Sequence, residues 1–344
     1  MHAVCQPRSL RETPLPGSGV SRPMKNPLPV AVTSRSFSRH PILRGELLAR
    51  YAAVTFNDAG TSLTGPQLID FLRGHGKAIT ALEVLDDAVF AALPELKVVS
   101  KYGVGLDMLD LGAMARRGVL LGWTGGVNKR SVAELAISAM IALLHLVPQA
   151  NQEVRNGKWR QLRGRQLTGR TVGIVGCGHI GKDLAVLLRA FDCRVLAHDI
   201  LDFPEFYRQH QVTALDLEDL LQQAQIVSLH LPGDDTTRNI LNAARLELML
   251  PGAYLVNAAR GGLVDERRLK EMLQQGRLGG AAFDVFAQEP PEDLELLRLP
   301  NFLATPHIGG STEEAVLAMG RAAIQGLDHA GEVSKVLGKQ YPAA

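Results

Sequence analysis

Cysteine is scarce in this 344-residue chain: Cys5, Cys177 and Cys193 are all there is. Their spacing suggests neither a disulfide framework nor a zinc site, so no metal is expected and a reducing cytoplasm is the expected home. Charge of one sign is lacking too. Lys and Arg total 37 against 35 Asp and Glu, a formal net charge of +2, which gives no reason to expect nucleic acid or an anionic membrane as a partner. No apolar run reaches the length of about 20 residues that spans a membrane. The first 27 residues lack the apolar core of a signal peptide. They carry Pro7, Pro14, Pro16, Pro23 and Pro27 and read as a disordered leader, with Met24 as an alternative start. No internal repeat stands out beyond a recurring α/β pattern.

Hydrophobic residues make up 46% and charged residues 21%, the balance of a soluble globular protein, and the length suits two domains. From position 29, β-rich runs alternate with helical stretches. P-V-A-V-T (29–33), A-A-V-T-F (52–56), K-A-I-T (77–80) and K-V-V-S (97–100) read as strands, and the alternation ends near V-L-L-G-W (119–123). Residues 42–50, 65–73 and 84–93 space their apolar side chains as helices do. Such alternation implies a parallel sheet covered by helices. A long helix is then expected from about Ser131 to Arg155, with Ser131 and Glu134 as a capping box and Pro148 kinking or splitting it. Its apolar body implies burial between domains.

A second α/β series begins at Thr171, with strands at T-V-G-I-V, R-V-L-A-H, I-V-S-L-H, Y-L-V-N, A-A-F-D-V and N-F-L-A-T. Helices are expected to start near His179, Leu217, Ala243 and Asp265, and one more helix to run from Thr312 to Asp328, crossing back to the first domain. From about Gly331 no signal is strong.

Between the first strand and helix of this series lies V-G-I-V-G-C-G-H-I-G. Gly176, Gly178 and Gly181 form G-x-G-x-x-G in its proper context: a tight bend, a close approach to a pyrophosphate, and close packing of helix on strand. Asp199 ends the next strand, about 20 residues on, where a carboxylate binds ribose hydroxyls and repels a 2′-phosphate. The expected cofactor is therefore NAD. Cys177 in the turn reads as a small space-filler rather than a redox switch.

Three further stretches bring a guanidinium, a carboxylate and an imidazole to strand ends: N-A-A-R (257–260), D-V-F-A-Q-E-P-P (284–291) and T-P-H-I-G-G (305–310). Beside a nicotinamide, this set suits reversible oxidation of a 2-hydroxy acid. Arg260 grips the carboxylate, His307 moves the hydroxyl proton, and Glu289 stabilises and orients the charged imidazole. Asp284, ending an apolar strand, is placed to meet the nicotinamide carboxamide. Each residue alone is unremarkable; their convergence where open α/β sheets bind ligands is what carries the reading.

Together these stretches resemble the D-isomer-specific 2-hydroxyacid dehydrogenases. The likeness runs from about Leu96 to Gly320 and includes A-R-G-G-L-V-D-E (259–266). G-V-G-L-D (103–107), N-x-x-S-V-A-E (128–134) and G-K-W (157–159) bring it nearest to the branch acting on 3-phosphoglycerate. The resemblance implies two Rossmann-like or flavodoxin-like parallel-sheet domains with a cleft between them. Residues 28–126 plus 306–333 would form the substrate domain and 127–305 the NAD-binding domain. It also implies Arg260, Glu289 and His307 as the catalytic set. Cofactor contacts are implied at Val104, His179, Ile180, Asp199, Leu231, Ala258, Asp284 and Gly310, and a homodimer is implied with the Ser131 helix near its interface. Met108 departs from the branch, which has Asn there, and the chain is too short for that branch's C-terminal regulatory domain. The substrate loop would be Lys101, Tyr102, Gly103, Val104 and Gly105. For a phosphorylated substrate Lys101 is the leading extra cation, ahead of Lys129, Arg130, Arg160, Arg163 and Arg165, with Arg35 or Arg39 also within reach. Alternatives on the same fold are oxidation of another small anion, such as phosphite, and NAD sensing without turnover; Glu289 argues against formate.

Overall fold

The structure, a computed structural model, describes residues 25–340; residues 1–24 of the expected leader lie outside it. Ordered pairing begins ahead of position 28, since Asn26 bridges Tyr51. The first series runs β1 (Val30–Val32), α1 (Arg35–Arg39), α2 (Pro41–Arg50), β2 (Val54–Phe56), α3 (Gly65–Leu72), β3 (Lys77–Thr80), α4 (Asp87–Ala92), β4 (Val98–Lys101), α5 (Leu111–Arg117) and β5 (Leu120–Gly122). Next come α6 (Lys129–Leu144) and α7 (Val147–Arg155). The second series is β6 (Thr171–Val175), α8 (His179–Arg189), β7 (Arg194–His198), α9 (Pro204–His210), β8 (Val212–Ala214), α10 (Leu217–Gln223) and β9 (Ile226–Leu229). It continues through α11 (Ala243–Leu248), β10 (Tyr254–Asn257), α12 (Glu266–Gln274), β11 (Gly280–Phe283), α13 (Leu294–Leu297) and β12 (Phe302–Ala304), followed by α14 (Glu313–Gly326) and α15 (Val333–Gln340).

The strands form two parallel sheets, ordered β2-β1-β3-β4-β5 and β12-β11-β10-β9-β6-β7-β8. Chain order reverses between β1 and β3 in one and between β6 and β9 in the other. These are the switch points at which open α/β sheets take ligands. Central strands are buried along their whole length, as β3, β4, β9, β10 and β11 are, because helices cover both faces. The expected α/β class with two parallel-sheet domains is what folds.

α14 returns to the first sheet. Ser100 Oγ donates to the Ala323 carbonyl at 2.7 Å, and a Cβ on Gly122 would stand 2.4 Å from the Gly326 carbonyl oxygen. Lys77 fixes the far end, donating to the Leu327 carbonyl at 2.6 Å and to the Tyr51 hydroxyl at 3.0 Å.

The Ser131 helix needs one correction, at its start, and at its end it splits, one of the two outcomes expected at Pro148. It begins two residues early, at Lys129, with Asn128 as its N-cap, so Ser131 and Glu134 form no capping box. It also ends at Leu144. Leu146 takes a left-handed φ of 56°, and α7 starts afresh with Pro148 in its first turn, bent by 62° from α6. Proline suits that position because its missing N–H has no helical partner there. The apolar face of α6, through Ala133, Ala136, Met140 and Leu144, packs into the core of the second sheet. α4 starts at Asp87 rather than near Val84, where Asp86 accepts from the Val89 N–H and sets the cap.

Candidate active site

The dinucleotide turn joins β6 to α8. Gly176 has a φ of +97°, and a Cβ there would stand 2.5 Å from the His230 carbonyl oxygen. A Cβ on Gly181 would stand 2.1 Å from the Gly176 carbonyl oxygen, whereas one on Gly178 would meet nothing within 4 Å. Gly178 is the N-cap of α8 and no side chain caps the helix start, so its first N–H groups are directed at open space. Asp199, just past β7, receives the Cys177 N–H at 2.6 Å and the Leu201 N–H at 2.8 Å. The residues present thus fit a dinucleotide, with pyrophosphate over Gly178 and ribose hydroxyls at Asp199. Cys177 is fully buried, and burial pushes its thiol up to about 12, which leaves it inert as a redox group.

Of the other expected cofactor contacts, Leu231, His179 and Ile180 lie at this turn. Leu231 reaches within 3.0 Å of where a Gly176 Cβ would be, and the His179 ring packs on Gly126, where a Cβ would stand 2.6 Å from it. Burial pushes the His179 imidazole down, with Lys129 and Lys182 adding to it. Ile180 follows in the first turn of α8, and Ala258 is half-buried directly after β10. The Val104 carbonyl accepts from Trp123 Nε1 at 2.9 Å. Gly310 faces Asn128, whose Nδ2 would lie 3.2 Å from an added Cβ.

His307 and Glu289 meet. Nδ1 of the ring lies 2.9 Å from Glu289 Oε2, and Oε1 of the same carboxylate accepts from the Phe286 N–H at 3.1 Å. His307 stands at φ +56°, a conformation that a non-glycine residue keeps only when its surroundings fix it. Asp284 does the fixing. Its buried carboxylate accepts from Thr305 Oγ1 at 2.6 Å, from the Ile308 N–H at 2.8 Å and from the Gly309 N–H at 2.7 Å. The Asp284 carbonyl takes the His307 N–H at 2.9 Å, and Ser131 Oγ donates to the Gly309 carbonyl at 2.5 Å. Both of its oxygens thus organise the histidine loop, and Oδ2, which takes one of these three bonds, keeps room to accept another.

Arg260 stands on the neighbouring strand end. Its Nε donates to Asp107 Oδ2 at 2.9 Å and its NH1 to the Ala259 carbonyl at 2.7 Å. NH2 lies over Gly105, so close that a Cβ there would stand 1.9 Å away. Gly103 (φ +128°) opens the loop. The ion pair between Asp107 and Arg260 crosses from the loop after β4 to the loop after β10.

Two substrate-loop expectations change. Tyr102 is packed into the first core, edge-on to Phe37 with ring centroids 5.5 Å apart, because the chain still continues the ladder there through the Tyr102 N–H to Thr80. Lys101 is buried with its ammonium on the Ala81 carbonyl. Burial lowers its pKa to about 8, which Glu83 and Asp107 oppose and Arg260 reinforces. It lies beside the site but is turned into the first domain. Of the other cations, Arg130 pairs with Asp183 at 2.7 and 3.0 Å, Arg160 pairs with Glu153, and Arg39 lies on Gly60. Arg165 lines a small cavity with Gln225 and Tyr254, beside the starts of β9 and β10, at the sheet edge opposite the site. Lys129, Arg163 and Arg35 are exposed.

A dinucleotide turn, a hydrogen-bonded acid–base pair and a fixed guanidinium at the strand ends of a doubly wound sheet define the class: a nicotinamide-dependent oxidoreductase fold. Residues 137–309 match the D-isomer specific 2-hydroxyacid dehydrogenase, NAD binding domain, and the chain belongs to that family. It is 38% identical over 239 residues to the D-3-phosphoglycerate dehydrogenase of Archaeoglobus fulgidus, covering 69% of this chain and 45% of that one. With the enzyme of that name from Synechocystis it shares 33% over 300 residues, 84% of this chain and 54% of the other. The chain thus spans about half the length of the curated relatives it matches. The NADPH-dependent glyoxylate/hydroxypyruvate reductase of Sinorhizobium meliloti, solved with NADP and malonate, superposes with a TM-score of 0.75 at 28% identity, covering 87% of this chain and 92% of that one.

Proposed function

We propose that the protein interconverts a 2-keto acid and the D-2-hydroxy acid with NAD(H), on an anionic and 3-phosphoglycerate-like substrate. The observation that carries this is the His307–Glu289 pair at 2.9 Å, set in a loop that Asp284 fixes. When bound, the nicotinamide supplies or accepts the hydride at the substrate's C2. This chain's residues do the rest. Arg260 binds the carboxylate through its terminal nitrogens while Asp107 holds its Nε side. His307 Nε2, on the ring edge away from Glu289, gives a proton to the carbonyl oxygen in reduction and takes it back in oxidation. Glu289 keeps that ring oriented and offsets the charge it gains. We also infer a cytoplasmic homodimer; exposed Val147, Val154 and Trp159 on and beside α7 support an interface there.

Asp199 supports NAD over NADP, by repulsion of a 2′-phosphate. Wild-type protein is expected to prefer NADH clearly over NADPH in steady-state kinetics, and Asp199→Ala to narrow that preference. Equal use of both cofactors by the wild type would remove the assignment.

The distal phosphate is tested at Lys101. To meet one, its ammonium must leave the Ala81 carbonyl, and it carries charge only below about pH 8. Lys101→Ala should raise KM for 3-phosphohydroxypyruvate about tenfold or more, the worth of one charged hydrogen bond. Hydroxypyruvate and glyoxylate should be little affected. The wild-type advantage for the phosphorylated acid should fade as pH rises through 8. An equal effect on all three acids would make Lys101 a structural residue only.

A further inference from the structure

Glu289 reaches His307 from a loop that leaves β11 and ends at α13. Past Phe286, which packs on Phe283 and Phe302 in the core, the loop is exposed from Ala287 to Pro290. A cleft of about 260 Å³ lies there, lined by Phe286, Ala287, Gln288, Pro291 and Leu296 together with Glu266. Two contacts from the segment after β10 hold the loop. The Phe286 carbonyl rests on Gly261, where an added Cβ would stand 1.8 Å from that oxygen. The Ala287 N–H donates to Glu266 Oε1 at 3.0 Å.

Glu266 is well placed to act as an anchor. It is the first residue of α12, which Asp265 caps through the Arg268 N–H, and α12 is rooted in the core by Leu269, Met272 and Leu273. Burial pushes the Glu266 carboxyl up, the bond from Ala287 opposes this, and Asp293 adds to it. The carboxylate is therefore kept in a place that disfavours its charge, and its bonding partner there is the backbone of the loop that carries Glu289.

We propose that Glu266 is a positioning residue: its bond to the Ala287 N–H latches the exposed stretch of the loop to α12 beside the cleft and keeps Glu289 on His307. The inference rests on the acid–base reading of that pair. With the latch gone, the loop has room to relax outward. A displacement of about 1 Å at a reacting group costs up to about 10²-fold in rate.

Three variants separate reach from charge. Glu266→Gln keeps length and an acceptor oxygen but no charge. Glu266→Asp keeps charge but falls short by one methylene, and Glu266→Ala keeps neither. Steady-state kinetics with the best 2-keto acid should give Glu266→Gln a kcat within about threefold of wild type. Glu266→Asp and Glu266→Ala should lose about 10- to 100-fold in kcat, with KM for NADH unchanged. Hydrogen–deuterium exchange of the peptide spanning 284–293 should rise in the Asp and Ala variants and not in Gln, a reading that needs no substrate. The latch is overturned if Glu266→Gln is as impaired as Glu266→Ala, if Glu266→Asp behaves as wild type, or if exchange is the same in all four proteins. A wild type with no turnover, but with this exchange pattern, would sink the proposed function and leave the latch standing.

Discussion

Replacing His307 should remove most turnover, by about 10²–10⁴-fold, the range that general acid–base catalysis contributes. The loss should fall on kcat, while NADH binding, followed by fluorescence, survives, because the dinucleotide turn lies on β6 and α8 and makes none of its contacts through this ring. The choice of variant matters. His307 sits at φ +56°, where alanine is strained and asparagine is tolerated. His307→Asn should therefore keep the loop that Asp284 organises and still lose the proton transfer. If both His307→Ala and His307→Asn turn over at near-wild-type rates, the proton comes from another group. Glu289→Gln is a milder version of the same test: the ring keeps a hydrogen-bond partner at Nδ1 but loses the negative charge beside it.

Arg260→Lys should be nearly as damaging although it conserves charge. The guanidinium uses Nε for Asp107 and NH1 for the Ala259 carbonyl, and still presents terminal N–H groups to a carboxylate. An ammonium is a point charge with three donors and cannot hold both walls of the cleft in that geometry. Losing two charged hydrogen bonds of about 1.5–3 kcal/mol each predicts a fall in kcat/KM for the keto acid of about 10²-fold or more. KM for NADH should not move. Near-normal kcat/KM in Arg260→Lys would mean that charge alone suffices and that the bidentate grip is wrong.

How far the sequence revealed this site depended on what kind of constraint each residue obeys. Gly176 and Gly181 are legible because a backbone oxygen lies where their Cβ would be, so the chain has no other residue to put there. Arg260, Glu289 and His307 are legible because each sits in a short motif just past a strand. Asp107 is harder to find. Its partner is 153 positions away, and only the folded cleft brings the two together. Lys101 is legible only in part: a lysine beside the substrate loop reads as a free cation, and only the fold shows its burial and the Ala81 carbonyl that its ammonium must leave. Asp284 and Glu266 stand in recognisable motifs, but their hydrogen bonds run to backbone N–H groups, which no side-chain pattern announces.

The fold divides in the same way. Long helices repeat their period often enough to be read, and the short apolar β-rich runs between them mark most of the strands, so both sheets are legible. The omissions are short. α1, α5, α9, α13 and β8 have five, seven, seven, four and three residues, fewer than two turns or two full alternations, and carry too little periodicity to register. α15 was readable after all. Val333, Val336 and Leu337 stand at helical spacing, and all three pack on the core of the first sheet.

The most direct test of the account is turnover of purified wild-type protein with NADH and a panel of 2-keto acids: glyoxylate, hydroxypyruvate and 3-phosphohydroxypyruvate. NADH consumption and the chirality of the product are the quantities to measure. The account predicts stoichiometric reduction to the D-2-hydroxy acid, fastest with 3-phosphohydroxypyruvate and lost in His307→Asn. Tight NADH binding with no turnover of any 2-keto acid would contradict it and leave a nucleotide-binding protein in its place.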